Sequence, residues 1–291
     1  MIQWKNKGIS RREFLKATAI GAGAAFINVE RMAAAGKLLI GAQKNIPIGV
    51  QLYSVRGAAQ KDLPKVLEAI AEMGYKGVEF AGYYGWDDTP KKLRKLLDDS
   101  GLKCCGTHTA LDTLQGDALK STAELHSILG NSYLIVPSLR AESEDDWKEL
   151  AKTFNEIAAK ASDMSMHIGY HAHAGDFKSL GDSTPWEIFF DNTGKEVLMQ
   201  IDIGNCLAGG GDPLKMLKKY AGRSATVHLK EHGGPEGAVI GQGVVPWKEV
   251  LETVEAVGGT HWYIVEHETG TNSMESIKGC LEGLRKLGRG L

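Results

Sequence analysis

The fold of this chain is decided by the β-rich stretch Ile46-Pro47-Ile48-Gly49-Val50-Gln51-Leu52-Tyr53-Ser54-Val55 and by the helical pattern that comes after it. Residues 62–73 carry apolar side chains at helical spacing, namely Leu63, Val66, Leu67 and Ile70. They predict an amphipathic helix, and a second β-rich run is found at residues 77–82. Strands that alternate with helices indicate a parallel sheet, because the crossover helix returns the chain to the same end of the sheet.

The same alternation continues to the end of the 291 residues. Eight β-rich runs are recognisable, at residues 46–55, 77–82, 103–109, 133–139, 167–173, 197–205, 225–232 and 262–268. A doubly wound open sheet is disfavoured, because no Gly-x-Gly-x-x-Gly fingerprint follows the first run. The sequence therefore predicts the α/β class, with a single (β/α)₈ TIM barrel over residues 46–291.

Residues 1–35 are typical of an export signal. They contain Ser10-Arg11-Arg12-Glu13-Phe14-Leu15-Lys16, the short apolar run 17–26 and then Met32-Ala33-Ala34-Ala35. Paired arginines before an apolar run and small residues resemble a twin-arginine signal peptide. We therefore expect the twin-arginine translocase as a partner and a linker at residues 36–45. The protein would be exported to the periplasm, or anchored in the membrane if the signal is not cleaved.

The charge balance argues against nucleic acid as a partner. The whole chain has a formal net charge of −2, and residues 1–35 hold six basic and two acidic residues. The remaining chain therefore has 28 basic and 34 acidic residues, a net charge of −6. Such a surface is poorly suited to nucleic acid or to an anionic membrane. The four cysteines show no zinc-binding spacing, and we expect them mostly to be buried free thiols: Cys104, Cys105, Cys206 and Cys280.

Polar residues recur where the predicted strands end, which is where (β/α)₈ barrels carry their active sites. Strand alternation puts four of them on one face of the last four strands, namely His171, Asp202, His228 and Glu266. Charges on central strands are costly to bury unless they are paired or bind metal. These residues therefore predict a site for one divalent metal ion, and Mn, Co, Zn, Mg or Fe would fit the mixed nitrogen and oxygen ligands.

Other residues at the strand ends are candidates for substrate binding and catalysis. The candidates for substrate binding are Gln51, Tyr53, Glu79, His108 and Lys230. Glu266 is the predicted base, and His171 and His173 are the other predicted catalytic residues. If Glu266 is not the base, the alternatives in order are His173, Glu79 and Glu268. His173 comes first because it shares the face and the strand end of His171.

Four motifs together resemble the sugar phosphate isomerase/epimerase group of the xylose isomerase-like barrel superfamily. They are Ile48-Gly49-Val50-Gln51-Leu52-Tyr53-Ser54-Val55-Arg56, Gly77-Val78-Glu79-Phe80, Gly169-Tyr170-His171-Ala172-His173 and Val227-His228-Leu229-Lys230-Glu231. The resemblance covers about residues 46–288. It implies one divalent metal held by Glu, Asp, His and Glu at the ends of strands five to eight. Asp202, His228 and Glu266 match the last three of these ligands.

The first ligand position departs from the epimerase pattern, because His171 stands where epimerases usually have Glu. In the epimerases two metal-bound Glu residues form the acid–base pair. The Tyr-His-x-His sequence of the fifth strand is more similar to the inosose dehydratase and keto-sugar lyase branches. Asn205 also stands where many epimerases have His. The motifs are therefore more specific for the family than for any one reaction within it.

The leading prediction is an isomerase or epimerase that acts on a small sugar or sugar derivative through a metal-stabilised enediolate. The first alternative is a metal-dependent lyase or dehydratase for a keto-sugar or 3-keto-glycoside. A second alternative is a barrel that binds a sugar without catalysis. Endonuclease activity is disfavoured by the net charge. The sequence leaves open whether the protein forms a homo-oligomer.

Overall fold

Eight parallel strands form one sheet in the computed structural model, which describes residues 45–268 and 273–290. The strands are β1 (Ile48–Gln51), β2 (Gly77–Phe80), β3 (Lys103–His108), β4 (Tyr133–Val136), β5 (His167–His171), β6 (Leu198–Gln200), β7 (Thr226–Leu229) and β8 (Trp262–Val265). Neighbouring strands pair in the order β6-β5-β4-β3-β2-β1-β8-β7. The predicted parallel (β/α)₈ barrel is therefore confirmed.

The barrel closes between β6 and β7, through contacts at the end of β6. A parallel bridge joins Asp202 to His228, and the backbone N–H of His228 donates to the carbonyl of Ile201 at 2.9 Å. Lower in the barrel, the N–H of Met199 donates to the carbonyl of Arg223 at 2.7 Å. Two of the predicted metal ligands thus lie directly on the closing seam.

Helices follow the strands around the barrel. They are α1 (Arg56–Ala59), α2 (Leu63–Met73), α3 (Pro90–Asp99), α4 (Ala118–Leu129), α5 (Glu144–Ser162), α6 (Pro185–Asp191), α7 (Ile203–Ala208), α8 (Pro213–Lys219), α9 (Trp247–Thr253) and α10 (Ser273–Lys286). The predicted helix at residues 62–73 agrees with α2 to within one residue at each end. Within the described ranges, no helix is long and apolar enough to cross a membrane.

The observed strands end earlier than the sequence predicted. The run 197–205 contains only the three-residue strand β6, because α7 begins at Ile203 with Asp202 as its N-cap. The run 46–55 similarly contains β1 and then a 3₁₀ turn from Leu52 to Val55. Hydrophobic composition alone does not separate a strand from the turn that comes after it. The chain leaves the sheet at these points and builds the mouth of the barrel.

An aromatic cluster outside the sheet fixes the orientation of β5. The ring of Tyr170 packs against Trp186 and Phe189, with centroids 5.7 and 5.2 Å away. Successive side chains of a strand point to opposite faces, so the neighbouring His171 points toward the barrel interior. All four cysteines are buried and free, as predicted.

The predicted signal segment at residues 1–35 and almost all of the linker at 36–45 lie outside the described residues. Export through the twin-arginine translocase therefore stays a prediction.

Arg223 is a buried cation that ties the start of β6 to the adjacent helix. Its guanidinium donates to the carbonyl of Val197 at 2.8 and 3.0 Å and to the carbonyl of Phe190 at 3.1 Å. We expect Arg223→Met to lower the free energy of unfolding by about 2–4 kcal/mol, since it leaves buried carbonyls without donors. Urea denaturation followed by circular dichroism measures this loss.

The matched control is Lys95→Met, which removes an exposed cation paired with Asp99 on one helix. This variant should change the free energy of unfolding by less than about 0.5 kcal/mol. Equal losses in the two variants would show that the buried hydrogen bonds of Arg223 stabilise the fold no more than an exposed ion pair does.

Candidate metal centre

Four side chains at consecutive strand ends converge at the mouth of the barrel: His171, Asp202, His228 and Glu266. One nitrogen or oxygen atom from each lies within 4.8 Å of the others. All four residues are buried, with relative exposures of 0–5%. The structure thus brings together the four residues that strand alternation had placed on one face.

Asp202 has one satisfied and one unsatisfied carboxylate oxygen. Oδ1 accepts a hydrogen bond from the backbone N–H of Asn205 at 2.7 Å and so caps α7. Oδ2 is buried without a hydrogen-bond partner, 3.9 Å from Nδ1 of His228. Burial raises the pKa of Asp202 to about 7. A buried oxygen without a partner is costly, and a bound cation would satisfy it.

His228 lies between two carboxylates. Its Nε2 is 2.6 Å from Oε2 of Glu79, and its Nδ1 is 2.9 Å from Oε2 of Glu266. Burial disfavours the imidazolium, but the charges and hydrogen bonds of the two carboxylates outweigh it and raise the pKa of His228 to about 10. Nδ1 faces the cluster, while Nε2 faces Glu79. A carboxylate on the outer nitrogen is the usual way to orient a metal-binding imidazole and strengthen it as a ligand.

Gln200 orients the second imidazole. Its Nε2 donates to Oε1 of Glu79 at 2.8 Å and to Oγ1 of Thr226 at 2.9 Å. Its Oε1 therefore accepts from Nδ1 of His171 at 3.0 Å and from Nε2 of His108 at 2.8 Å. This leaves Nε2 of His171 without a proton and free to bind a cation. Burial, together with the neighbouring His228, lowers the pKa of His171, which favours the same neutral form.

The sequence analysis assigned no role to Gln200. The indication available in the sequence was an amide two positions before Asp202 on a central strand. Such an amide is buried, as the structure shows for Gln200, and needs partners for every polar atom. Those partners come from the second, third, fifth and seventh strands. A single sequence does not show which of these residues the barrel brings together.

Gln51 and Glu79, predicted to bind substrate, are both fully buried. Nε2 of Gln51 donates to Oε2 of Glu79 at 2.7 Å, the same oxygen that faces His228. Burial disfavours the Glu79 carboxylate, but His108 and His228 outweigh burial and lower its pKa. Glu79 thus lies behind His228, on the side away from the cluster, where its contact with Nε2 orients the imidazole ring. Substrate contact by these two residues stays a prediction.

A cleft of about 380 Å³ opens above the cluster. Its lining includes His171 and Glu266 of the cluster, and also Tyr53, His108, His173 and Glu268. Tyr53 is 41% exposed, so its ring is available to a ligand. Lys230 forms an ion pair with Glu268. Of the residues predicted to bind substrate, the cleft thus has Tyr53 and His108 in its lining.

The residues fit a divalent cation. The four ligand atoms include an unpartnered carboxylate oxygen, and both imidazoles are held by hydrogen bonds on the nitrogen that faces away. Mixed carboxylate and imidazole ligands suit several first-row metals and do not choose among them.

Comparisons with known proteins agree with the fold. A family model described as "Xylose isomerase-like TIM barrel" matches residues 67–287. The inosose dehydratase of Glaesserella parasuis serovar 5 (strain SH0165) is 24% identical over 294 residues, covering 82% of this chain and 96% of that protein. A solved sugar phosphate isomerase/epimerase from Parabacteroides distasonis ATCC 8503 is 25% identical. Its TM-score is 0.72, and the match covers 83% of this chain and 98% of that one.

A more distant structure is the IOLI protein with a binding zinc atom. It is 14% identical, with a TM-score of 0.65, and covers 83% of this chain and 97% of that one. At this identity the likeness shows the fold alone.

Asp202→Asn should weaken metal binding, because it removes the unpartnered carboxylate charge and keeps the oxygen that caps α7. We expect the affinity for Zn²⁺ or Mn²⁺ to fall roughly 10-fold or more. Metal content after dialysis, measured by mass spectrometry, checks this. The matched control is Asp212→Asn, since Asp212 caps α8 in the same way outside the cluster. Full metal content in the Asp202 variant would remove Asp202 from the ligand set.

Glu79→Gln tests the orienting position behind His228. The amide cannot accept from Gln51, Gln200 and His228 together, so the imidazole should lose its fixed orientation. We expect metal affinity to fall about 10–100-fold. The control is Glu149→Gln, an exposed residue on α5. Unchanged metal affinity in a folded Glu79 variant would contradict the orienting position.

Proposed function

The chain belongs to the xylose isomerase-like TIM barrel family, and from this premise we propose that it is a metal-dependent enzyme acting on a carbonyl sugar. The proposed step removes the proton next to the carbonyl of a small sugar derivative. The metal would be held by His171, Asp202, His228 and Glu266. The observation that carries the proposal is the unpartnered Oδ2 of Asp202 among three further ligand atoms, under an open cleft.

A bound divalent cation would supply Lewis acidity, which polarises the carbonyl and makes the neighbouring C–H more acidic. Glu266 is the proposed base, because its carboxylate belongs to the cluster and also lines the cleft. Burial disfavours this carboxylate, but the hydrogen bond and charge of His228 outweigh burial and hold the pKa of Glu266 well below its usual value. Glu266 is therefore ionised at neutral pH and can accept a proton.

His173 is the proposed second proton-transfer group. It lies at the end of β5, lines the cleft, and has its ring centroid 5.0 Å from that of His171. Its backbone N–H donates to the buried carboxylate of Asp176 at 2.7 Å, which holds the turn after β5 in place. We propose that this imidazole exchanges a proton with a substrate group other than the one that faces Glu266.

Expulsion of a β-hydroxyl or a β-glycosyloxy group is the outcome we favour after proton removal. The supporting observation is His171, an imidazole at the position where the epimerase pattern has a second metal-bound carboxylate. The inosose dehydratase relatives, which match most of this chain at 24–27% identity, point the same way. The enzyme would then be a lyase or dehydratase for a keto-sugar or keto-glycoside.

Isomerisation or epimerisation is the second candidate, supported by the Parabacteroides isomerase/epimerase structure. It requires that the proton be returned to the sugar, and His173 or Glu268 in the cleft lining could do this. A sugar-binding barrel without catalysis is less well supported, since all four cluster residues are present and converge.

Hydrogen–deuterium exchange tests the step that both candidates share. Keto-sugars and keto-glycosides incubated with the metal-loaded enzyme in D₂O should lose the proton next to the carbonyl. NMR would show this loss as exchange for deuterium or, where a β-group leaves, as elimination. Glu266→Gln should lower this exchange by about 10²–10⁴-fold while some metal remains bound. The matched control is Glu282→Gln on the exposed side of α10, which should exchange normally.

The mass of the product separates the two candidates. Elimination loses water or an alcohol, whereas isomerisation and epimerisation conserve mass. Normal exchange in Glu266→Gln with full metal would overturn Glu266 as the base. The base would then be sought at His173 or Glu268, because Glu79 is fully buried against His228.

A further inference from the structure

We propose that the cleft accepts an uncharged sugar or glycoside and excludes sugar phosphates. The inference rests on the proposed function only in taking the cleft above the cluster as the place where substrate binds. The charges that line the cleft, the ion pair at its mouth and the contacts of the loop after β7 support it.

The cleft lining carries negative and neutral groups. None of the described residues that line it is Lys or Arg, whereas Glu266 and Glu268 both contribute carboxylates. A phosphate group carries up to two negative charges and is normally bound by cations or converging N–H groups. The two carboxylates are already engaged, Glu268 by Lys230 and Glu266 by His228. A phosphate placed against the lining would therefore lose hydration without gaining a side-chain cation as a partner.

Lys230 is a cation at the mouth of the cleft, and it is already paired. Its ammonium contacts the carboxylate of Glu268, and its side chain is only 15% exposed. A phosphate would therefore have to displace Glu268 to reach this ammonium.

Arg56 is also held by contacts within the chain. Its guanidinium lies over the ring of Tyr53, 4.1 Å from the centroid, and its Nη1 donates to the carbonyl of Tyr53 at 2.8 Å. Arg56 is not part of the cleft lining. Its contacts support the tyrosine ring that faces the cleft.

The loop after β7 cannot offer a ready phosphate site, although loops after the seventh and eighth strands often form one in (β/α)₈ barrels. The carboxylate of Glu231 already receives the N–H groups that converge there. Gly241 N and Trp247 Nε1 donate at 2.7 Å, and His232 N and Val245 N donate at 3.0 and 3.3 Å. An internal anion thus occupies the position that a phosphate would need.

Gly243 permits this arrangement. A Cβ at this position would lie 2.5 Å from Oε1 of Glu231 and 2.3 Å from the carbonyl of His232. Only glycine therefore lets the loop pack against the Glu231 carboxylate.

The remaining lining suits an uncharged sugar ring. Ala110, Leu111 and Pro137 provide apolar surface together with Tyr53, and Thr109 and Ser138 provide hydroxyl groups. A sugar presents C–H faces that pack on apolar and aromatic surface, and hydroxyl groups that form hydrogen bonds. Both kinds of surface are present without any need for a charged partner.

The test compares D-fructose with D-fructose 6-phosphate as probes, by calorimetric titration of the metal-loaded full chain. We expect the phosphate to bind no more tightly than the uncharged sugar. Glu268→Gln should release Lys230 and remove one negative charge, so that binding of fructose 6-phosphate improves about 10-fold or more. Glu124→Gln, an exposed residue on α4, is the control for net charge and should leave both affinities unchanged.

Tighter binding of fructose 6-phosphate than of fructose by the unmodified chain would overturn the inference. So would a Glu268→Gln variant that gains no affinity for the phosphate. If proton exchange is normal but the phosphate is preferred, this inference fails and the proposed function stands. If the phosphate is disfavoured but no carbonyl sugar exchanges its proton, the proposed function fails and the exclusion of phosphate stands.

Discussion

The cost of burying carboxylates at the barrel mouth is the constraint on which the site depends. Glu79, Asp202 and Glu266 are all almost fully removed from water. His228 offsets part of this cost for two of the carboxylates, because its Nε2 contacts Glu79 and its Nδ1 contacts Glu266. Asp202 keeps an oxygen without a hydrogen-bond partner. A bound cation would stabilise this arrangement, since it would supply both the missing positive charge and a partner for the buried oxygen of Asp202.

The residues of the proposed metal site are also part of the architecture of the barrel. The bridge between Asp202 and His228 closes the sheet between β6 and β7, so the seam of the fold is also one side of the proposed metal site. Gln200, on β6, links Glu79, His108 and His171 across the barrel interior. Geometry at the site is therefore set by strand pairing and buried hydrogen bonds, which are stiffer than loops.

Sequence reasoning succeeded where one local rule was enough. Alternation along each strand was sufficient to select His171, Asp202, His228 and Glu266, because inward-facing polar residues recur with a period of two. Sequence reasoning placed the ends of the strands less accurately, since apolar residues continue into the turns after β1 and β6. Gln51 and Glu79 were identified as site residues, but their observed contacts are with each other and with His228 rather than with the cleft.

The amino-acid sequence by itself determined the eightfold alternation, the barrel class and the identity of the cluster, because periodicity and strand-end position are local properties of a chain. Only the tertiary structure decided which nitrogen of each imidazole faces the cluster, which carboxylate orients His228 and how Glu231 fills the loop after β7. Those contacts join residues such as Glu79 and His228, which are 149 positions apart. Their partners are chosen by the closure of the barrel, and a single sequence does not encode that distance in any local pattern.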